Sequence, residues 1–276
     1  MDFQLNSGIT LRLDSGPARN QTYPTARIQK GLVMIYEGQE LCEEAVGFGV
    51  PIFKRGLQTI FPSAVELTPL PLGYSVGVHA RYTMNLEERI KKSGSSTLQS
   101  PILYKCKNIL AAFIRWLPFM RSFLTYASNL LRSTLAWETT YETTGYSAYV
   151  TLTYTMDAQK GRILVDLDLP QEQQVGITEI IVMNEQGAHF FERYQDADGV
   201  SLVGNEIGCW DEVKAREAKF VSPGLGISFS LEQADKARLY RGRELIGRRL
   251  AWAGFGYICT PAQDHFSYEI TVGKSP

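Results

Sequence analysis

The stretch SAYVTLTYTM, residues 147–156, alternates apolar and polar side chains without a break. Every second residue from Ala148 to Met156 is apolar or aromatic, and most residues between them carry hydroxyl groups. Because successive side chains of a β-strand point to opposite faces, this period of two predicts a strand with one buried face and one polar face. Strands of antiparallel sheets that cover a core on one side and face water on the other show this pattern.

The same alternation occurs at two distant places in the chain. It begins at Val76 in VGVHARYTMNL and at Phe266 in FSYEITV. Further β-rich runs lie between them, separated by turn residues such as DADG and EQG. Many strands at short spacing, without crossover helices, predict an all-β fold. We expect a large antiparallel sandwich of two packed sheets, formed as a single domain by residues 1–276.

One segment interrupts the strand patterns. Residues 107–137, KNILAAFIRWLPFMRSFLTYASNLLRSTLAW, are apolar and basic, and their apolar positions recur at helical spacing. We therefore predict an amphipathic helical insertion around residues 103–137. Its longest uncharged run, between Arg121 and Arg132, has ten residues, whereas a membrane-spanning helix needs about 20. The insertion either packs on the sandwich as a lid or plug, or lies on a membrane surface through residues 107–137.

Composition excludes several classes of function. The 28 basic and 29 acidic residues give a net charge of -1, so no nucleic-acid partner is expected. The four cysteines stand singly, without the close pairs of zinc or redox sites, and are predicted to be reduced thiols. The first residues lack the basic flank and apolar core of a secretory signal, which favours a cytoplasmic location. We predict no metal site and no cofactor.

Candidate ligand-binding residues lie on the polar sides of the predicted strands. His79 and Arg81 share the polar face of one strand, and an arginine-rich stretch, RLYRGRELIGRR, follows near the end of the chain. Guanidinium groups donate in a fork that suits carboxylate, phosphate or sulfated-sugar oxygens. An ordinary solvated surface is the alternative interpretation. The candidate ligand-binding residues are Arg81, Tyr149, Thr151, Arg241 and Arg243.

The candidate catalytic residues are His79, Glu43 and Glu44, with a glutamate acting as general base or acid and His79 assisting it. The two glutamates precede a Gly-Phe-Gly motif in CEEAVGFG, and strand alternation would place one of them on the core side. A partly buried carboxyl group there would have a raised pKa and act as an acid. A charge-paired strand end is the alternative interpretation.

The Gly-Phe-Gly motif occurs twice, in AVGFGVPIF at 45–53 and in WAGFGYICTP at 252–261. The four glycines are Gly47, Gly49, Gly254 and Gly256. They permit tight bends and close approach of backbones within a large sheet. The alternative interpretation is a ligand cradle formed by backbone groups.

The strand pattern of most of the chain, with the closing stretches RRLAWAGFGY and HFSYEITV, resembles the antiparallel supersandwich of the galactose mutarotase type. That resemblance implies carbohydrate binding or modification, with a glutamate base and histidines acting on a sugar, but it assigns these roles to no residue of this chain. A sugar or other polar small molecule is the expected ligand. The alternatives are a lipid-handling or membrane-peripheral binding protein that uses the helical insertion, and a non-enzymatic scaffold.

The insertion hypothesis leads to a direct experiment. We expect purified protein neither to float with anionic vesicles nor to carry extractable lipid, because three arginines among residues 108–137 are fewer than the 4 to 8 of firm anionic-lipid recognition. Vesicle flotation and lipid extraction measure this. Flotation that moderate salt reverses would instead support a peripheral membrane contact.

Overall fold

The computed structural model describes residues 1–17, 28–56, 58–72, 75–91, 139–246, 250–259 and 265–275. The chain divides into two compact units, one formed by Met1–Leu86 with Gly145–Pro276 and the other by Glu87–Thr144. The predicted helical insertion at 103–137 lies outside the described residues, and so does the segment 107–137 proposed for membrane contact. Both stay predictions, as does the grouping of residues 1–276 in one domain.

Nearly all regular structure in the described residues is β. The strands of the first half are β1 (Asp2–Gln4), β2 (Ile9–Arg12), β3 (Gly16–Pro17), β4 (Val33–Tyr36), β5 (Gln39–Glu40), β6 (Gly47–Arg55), β7 (Gln58–Leu72), β8 (Ser75–Lys91) and β9 (Thr139–Asp157). Those of the second half are β10 (Arg162–Asp168), β11 (Glu179–Gln186), β12 (Arg193–Asp196), β13 (Ser201–Val203), β14 (Cys209–Glu212), β15 (Glu217–Ser222), β16 (Ile227–Glu232), β17 (Ala237–Ile246), β18 (Leu250–Cys259) and β19 (His265–Lys274). Two short 3-10 turns, Gln171–Gln173 and Gly204–Ile207, complete the described elements.

Most strands belong to two sheets joined through β7, with β3 paired to the middle of β7. The large sheet has the order β13-β12-β15-β16-β19-β10-β9-β8-β7, and the second sheet has the order β6-β11-β18-β17-β14. The start of β7 pairs with β6 and the rest of it pairs with β8, so one strand passes from one sheet to the other. A small N-terminal sheet has the order β1-β2-β4-β5. The predicted all-β fold of two antiparallel sheets is confirmed.

Aromatic rings fill the space between the two sheets. Phe48 of the second sheet meets Phe229 of the large sheet edge-on, with ring centroids 5.1 Å apart, and Phe220 meets Phe255 at 4.9 Å. Such edge-to-face pairs add to the free energy gained by removing apolar area from water. The core therefore lies between the facing sides of two sheets, as in other β-sandwiches.

The predicted inward faces are confirmed for two of the three alternating strands. Every apolar position from Ala148 to Met156 in β9 is buried, and so is every one from Phe266 to Val272 in β19. In β8 the inward set begins at Val78, and the prediction for Val76 is wrong because this residue is 54% exposed. Val76 is the second residue of β8 and pairs with Pro71 near the end of β7.

A chain of buried polar groups crosses the core from one sheet to the other. Asn184 of β11 accepts hydrogen bonds at Oδ1 from the hydroxyl of Tyr268 in β19, at 2.8 Å, and from the backbone N–H of Gly49 in β6, at 3.0 Å. The Tyr154 hydroxyl donates to the Gly49 carbonyl at 2.8 Å and lies 3.0 Å from the Tyr82 hydroxyl. Because a buried polar group without a partner is costly, these pairings fix which strands face each other.

The N-terminal sheet is attached to β11 through Gln186, two residues after Asn184. Gln186, which is fully buried, accepts from the Met34 N–H at 3.2 Å and donates to the Leu32 carbonyl at 3.2 Å. Leu32 also forms a bridge with Phe48 of β6. The Gln186 side chain therefore bonds with both its acceptor and its donor to backbone groups in β4 and directly before it.

The two Gly-Phe-Gly motifs flank β11 on opposite sides. Gly47 and Gly254 both pair with Glu185, one from β6 and the other from β18. A Cβ atom at Gly49 would lie 2.6 Å from the Tyr154 ring, and one at Gly254 would lie 2.1 Å from the Asn184 carbonyl oxygen. Protein atoms occupy this space, which favours close backbone approach over the ligand-cradle interpretation.

Two local predictions have clear outcomes. The DADG stretch forms the β12–β13 hairpin, with Gly199 at φ +86° and Asp196 Oδ1 accepting from the N–H of Asp198 and of Val200, as a turn with glycine in the left-handed region requires. Of the EQG stretch, Glu185 and Gln186 end β11 and are buried, whereas Gly187 begins the turn that follows, with its carbonyl accepting from the Phe190 N–H.

Replacing Gly49 should test the contact between this glycine and Tyr154. Gly49→Ala places a side chain at φ +74° and against the buried ring, whereas Gly8→Ala, at φ +83° with no atom within 4 Å, adds only the backbone strain. We expect Gly8→Ala to cost about 1–2 kcal/mol and Gly49→Ala a further ~1–3 kcal/mol from overpacking. Urea unfolding of both variants measures the difference, and equal losses would contradict a steric role for Tyr154.

Candidate functional site

The outward side chains of β7, β8, β9, β10 and β19 form a mainly polar surface, called here the polar face, in which Leu164 is an exposed apolar residue. Strand alternation creates it, since Val78, Ala80, Val165 and Leu167 point into the core from the same strands. The polar face comprises Glu66, Thr68, His79, Arg81, Tyr149, Thr151, Thr153, Asp166, Asp168 and His265. It brings together four of the residues predicted from sequence, His79, Arg81, Tyr149 and Thr151.

Contacts run across the polar face from strand to strand. His79 Nδ1 lies 2.8 Å from Thr153 Oγ1, and Thr153 pairs with Asp166 in the next strand. His265 lies beyond, with Nδ1 3.0 Å from Asp168 Oδ1 and Nε2 3.9 Å from Asp166 Oδ1. Donors and acceptors therefore alternate across neighbouring strands, a pattern that suits a ligand with several hydroxyl groups.

An arginine and a tyrosine form the aromatic part of the polar face. The Arg81 guanidinium lies over the Tyr149 ring, 3.9 Å from its centroid, in a cation–π contact. Tyr149 is 42% exposed, and its backbone N–H donates to Gln173 Oε1. The ring thus packs against Arg81 of β8 and the backbone is bonded to a nearby turn, while much of the residue stays open to solvent.

Glu43 is placed elsewhere and contacts a different histidine from the predicted one. Its Oε1 lies 2.8 Å from His189 Nδ1, and its Oε2 accepts from the His189 backbone N–H at 3.3 Å. Glu43 has a positive φ of 49°, an uncommon conformation for a residue other than glycine. Lys30 Nζ donates to the Glu43 carbonyl at 2.7 Å and lies within electrostatic reach of Glu44. The contacts of Glu43 thus join it to His189 and Lys30, and none joins it to His79.

Arg241 and Arg243 lie on the inward side of β17, with Leu239, and not on the polar face. The Arg243 guanidinium donates to the Ala188 carbonyl at 2.9 Å, next to His189. The Arg241 guanidinium lies 4.6 Å from the centroid of the Tyr194 ring and 3.9 Å from an Asp211 carboxylate oxygen. The predicted site residues are therefore divided between the polar face and the edge of the sandwich near β12 and β17.

Glu185 is a residue that the sequence analysis missed. It is 4% exposed, on the outward side of β11, and burial raises the pKa of its carboxyl group to about 8. The Val46 N–H bonds to the carboxyl group and Glu244 adds repulsion to its charged form. The flanking strands place only glycines beside it, at Gly47 and Gly254. The signal was a polar run, Asn-Glu-Gln, at the end of the apolar ITEIIVM stretch.

The described part of the chain contains no cluster of three or more His, Cys, Asp or Glu residues arranged to hold a metal ion. In that same part, no helix has the length and hydropathy of a membrane span. The chemistry available on the polar face is hydrogen bonding, aromatic stacking and proton exchange at histidine beside carboxylates.

Comparison with solved structures shows the fold. No protein-family model matches the chain, and no curated protein matches its sequence. The structure is similar to part of the α-N-acetylgalactosaminidase NagBb from Bifidobacterium bifidum, both with Gal-NHAc-DNJ bound and ligand-free, with a TM-score of 0.52 in each case. Sequence identity is 10% and 9%, and the matches cover 99% and 100% of this chain. The chain spans 36% of the length of NagBb. The expected likeness to a carbohydrate-active β-sandwich is thus confirmed for the fold alone.

Glu185→Gln should remove a pH dependence of stability. Between pH 4.5, the ordinary pKa of a glutamate, and about 8, the folded chain keeps a proton that the unfolded chain has lost, so the free energy of unfolding falls as pH rises. Each pKa unit corresponds to ~1.4 kcal/mol. We expect the free energy of unfolding of the variant, relative to that of the wild type, to rise by a few kcal/mol between pH 4.5 and 8.

Urea unfolding at pH 5 and pH 8.5 measures this gain, because other titrating groups contribute equally to wild type and variant. Glu269→Gln, at a surface glutamate that lies 3.4 Å from Arg162, is the matched control. A difference between wild type and Glu185→Gln that stays constant with pH would contradict the raised pKa.

Proposed function

We propose that the polar face binds a carbohydrate. The observation that carries the proposal is the row of hydrogen-bonding side chains on adjacent strands, from His79 through Thr153 and Asp166 to His265, beside the exposed ring of Tyr149. A sugar ring presents several hydroxyl groups, each of which donates and accepts, and one or two apolar C–H faces. It therefore needs many polar partners and an aromatic surface within one area.

The charges of the polar face favour a neutral sugar. Glu66, Asp166 and Asp168 supply three carboxylates, whereas Arg81 supplies one guanidinium, so the surplus of negative charge disfavours an anionic sugar. Hydrogen bonds to charged groups are stronger than those between neutral groups. A neutral saccharide can hydrogen-bond to the carboxylates and to the guanidinium without placing a like charge beside either.

The fold adds general support. NagBb, a protein of similar structure, is by name a glycosidase, and a shared fold raises the expectation of a related ligand without assigning a site or a reaction. The proposal therefore rests mainly on the residues of the polar face.

Carbohydrate modification is the second candidate function, favoured by the contact of His265 with Asp168. A carboxylate that accepts from imidazole Nδ1 holds the ring in the tautomer whose Nε2 can take up a proton. His265 would then exchange a proton with a sugar hydroxyl bound near Asp166. The hypothesis that Glu43 acts with His79 has no such contact, since Glu43 contacts His189.

Binding to an array of immobilised mono- and disaccharides that includes N-acetylgalactosamine tests the proposal. Tyr149→Ala removes the ring that stacks with Arg81, and we expect it to weaken binding at least about tenfold, as truncating an aromatic anchor typically does. Thr153→Val removes the hydroxyl that contacts His79, and the loss of one hydrogen bond should weaken binding about 2- to 10-fold.

Arg162→Ala is the matched control, because Arg162 lies on the same side of β10 but pairs with Glu269, away from this row. It should bind as the wild type does. The proposal is wrong if no saccharide binds, or if Tyr149→Ala and Thr153→Val bind like the control.

A further inference from the structure

Trp210 has an unusual position at the edge of the second sheet. It lies in β14, where the pairing with β17 shifts register between Cys209 and Asp211, and its φ is +62°. A bulky side chain rarely adopts this conformation, because the Cβ atom crowds the backbone. Such strain persists only where the surrounding structure enforces it, and it is concentrated at functional sites.

Three residues hold the indole in place. Trp252, which is buried, stacks with Trp210 at a centroid distance of 5.2 Å and an interplanar angle of 28°. A Cβ atom at Gly256 would lie 2.7 Å from the Trp210 ring, and one at Gly242 would lie 2.9 Å from the Trp210 backbone nitrogen. The glycines of β17 and β18 therefore leave the space that this ring and its backbone occupy.

Trp210 as a whole nevertheless stays 38% exposed. Tryptophan is rarely buried completely but is highly buried on average, so this exposure leaves an aromatic surface that a ligand can contact. Here the bulge, the stack and the glycines fix the orientation of the ring and leave part of it open to solvent. A fixed, partly exposed ring can stack with a ligand at little cost in conformational entropy.

Polar groups lie beside the ring on the same side of β17. Alternation places Arg238, Tyr240 and Glu244 on the side of Gly242, with Glu244 opposite Trp252. The Arg238 guanidinium lies 5.6 Å from the centroid of the Tyr240 ring. A phenol, a carboxylate and a guanidinium next to an exposed indole supply the donors and acceptors that a sugar ring needs once its C–H face lies on the aromatic surface.

We propose that Trp210, Tyr240 and Glu244 form a second saccharide-binding site on the outward side of the second sheet. The ligand class rests on the proposed function, whereas the location is independent of the polar face. The carboxylate of Glu244 disfavours an anionic sugar, so the site takes a neutral one.

Calorimetric titration with the saccharide bound best on the array tests this site. We expect two sites per chain in the wild type. Trp210→Ala should leave one site, Tyr149→Ala should leave the other, and the double variant should leave none. Quenching of tryptophan fluorescence by the saccharide should occur in the wild type and be reduced in Trp210→Ala.

A pair of glycine variants tests the position of the Trp210 ring without removing the ring. Gly256→Ala forces the indole to move, because the added methyl group would overlap with it, and should weaken the second site at least tenfold. Gly273→Ala adds the same methyl group where no atom lies within 4 Å and should leave both sites unchanged. Thermal unfolding of each variant checks that the fold is intact. Trp210→Phe keeps an aromatic ring and should bind the saccharide more weakly than the wild type but still detectably.

The outcomes separate the two proposals. Binding that Trp210→Ala removes and Tyr149→Ala leaves intact would uphold the second site and overturn the polar face. Binding that only Tyr149→Ala removes would overturn the second site alone. A wild-type protein that binds no saccharide would overturn both.

Discussion

The buried amide of Asn184 is the interaction on which the arrangement of the two sheets depends. Its oxygen accepts from Tyr268 in the large sheet and from Gly49 in the second sheet, and Tyr154 extends the connection through the Gly49 carbonyl. Apolar packing alone tolerates small shifts of one sheet over the other, since hydrophobic contact is not directional. Hydrogen bonds between buried groups are directional, and breaking one leaves a desolvated group unpaired. The amide therefore selects one alignment of the sheets.

Three consecutive polar residues of β11 serve three parts of the molecule. Asn184 and Gln186 point inward, to the large sheet and to the N-terminal sheet, whereas Glu185 points outward between Gly47 and Gly254. The two amides have partners for their acceptors and donors, so they remain polar without penalty. Glu185 has one N–H partner and is held largely in its neutral form by burial. Because of strand alternation, Asn184 and Gln186 of this short polar run bond to two other sheets, and Glu185 between them is a buried titratable group.

The sequence predicts which side chains share a face, but not which strands meet. A period of two is a local property, so β9 and β19 and the grouping of His79 with Arg81 follow from neighbouring residues alone. The contact of Glu43 with His189 joins residues far apart in the chain, and no local pattern encodes it. Asn-Glu-Gln-Gly resembles a turn in composition, yet β11 runs as far as Gln186 because β6 and β18 pair with it, and the turn begins only at Gly187. The exposure of Val76 likewise depends on where the core ends.

The buried network and the polar face are coupled through strand register. In β9, Tyr154 points inward to Gly49 and its neighbour Thr153 points outward to His79. In β19, Tyr268 points inward to Asn184, and His265, three positions earlier, lies on the outward side. A slip of one residue in either strand would exchange its two faces, placing a threonine or histidine in the core and a tyrosine in solvent. The tyrosine hydroxyl bonds oppose that slip more strongly than apolar contact does, because each has one geometrically defined partner. The same bonds that align the sheets therefore also hold the outward row in position for a ligand.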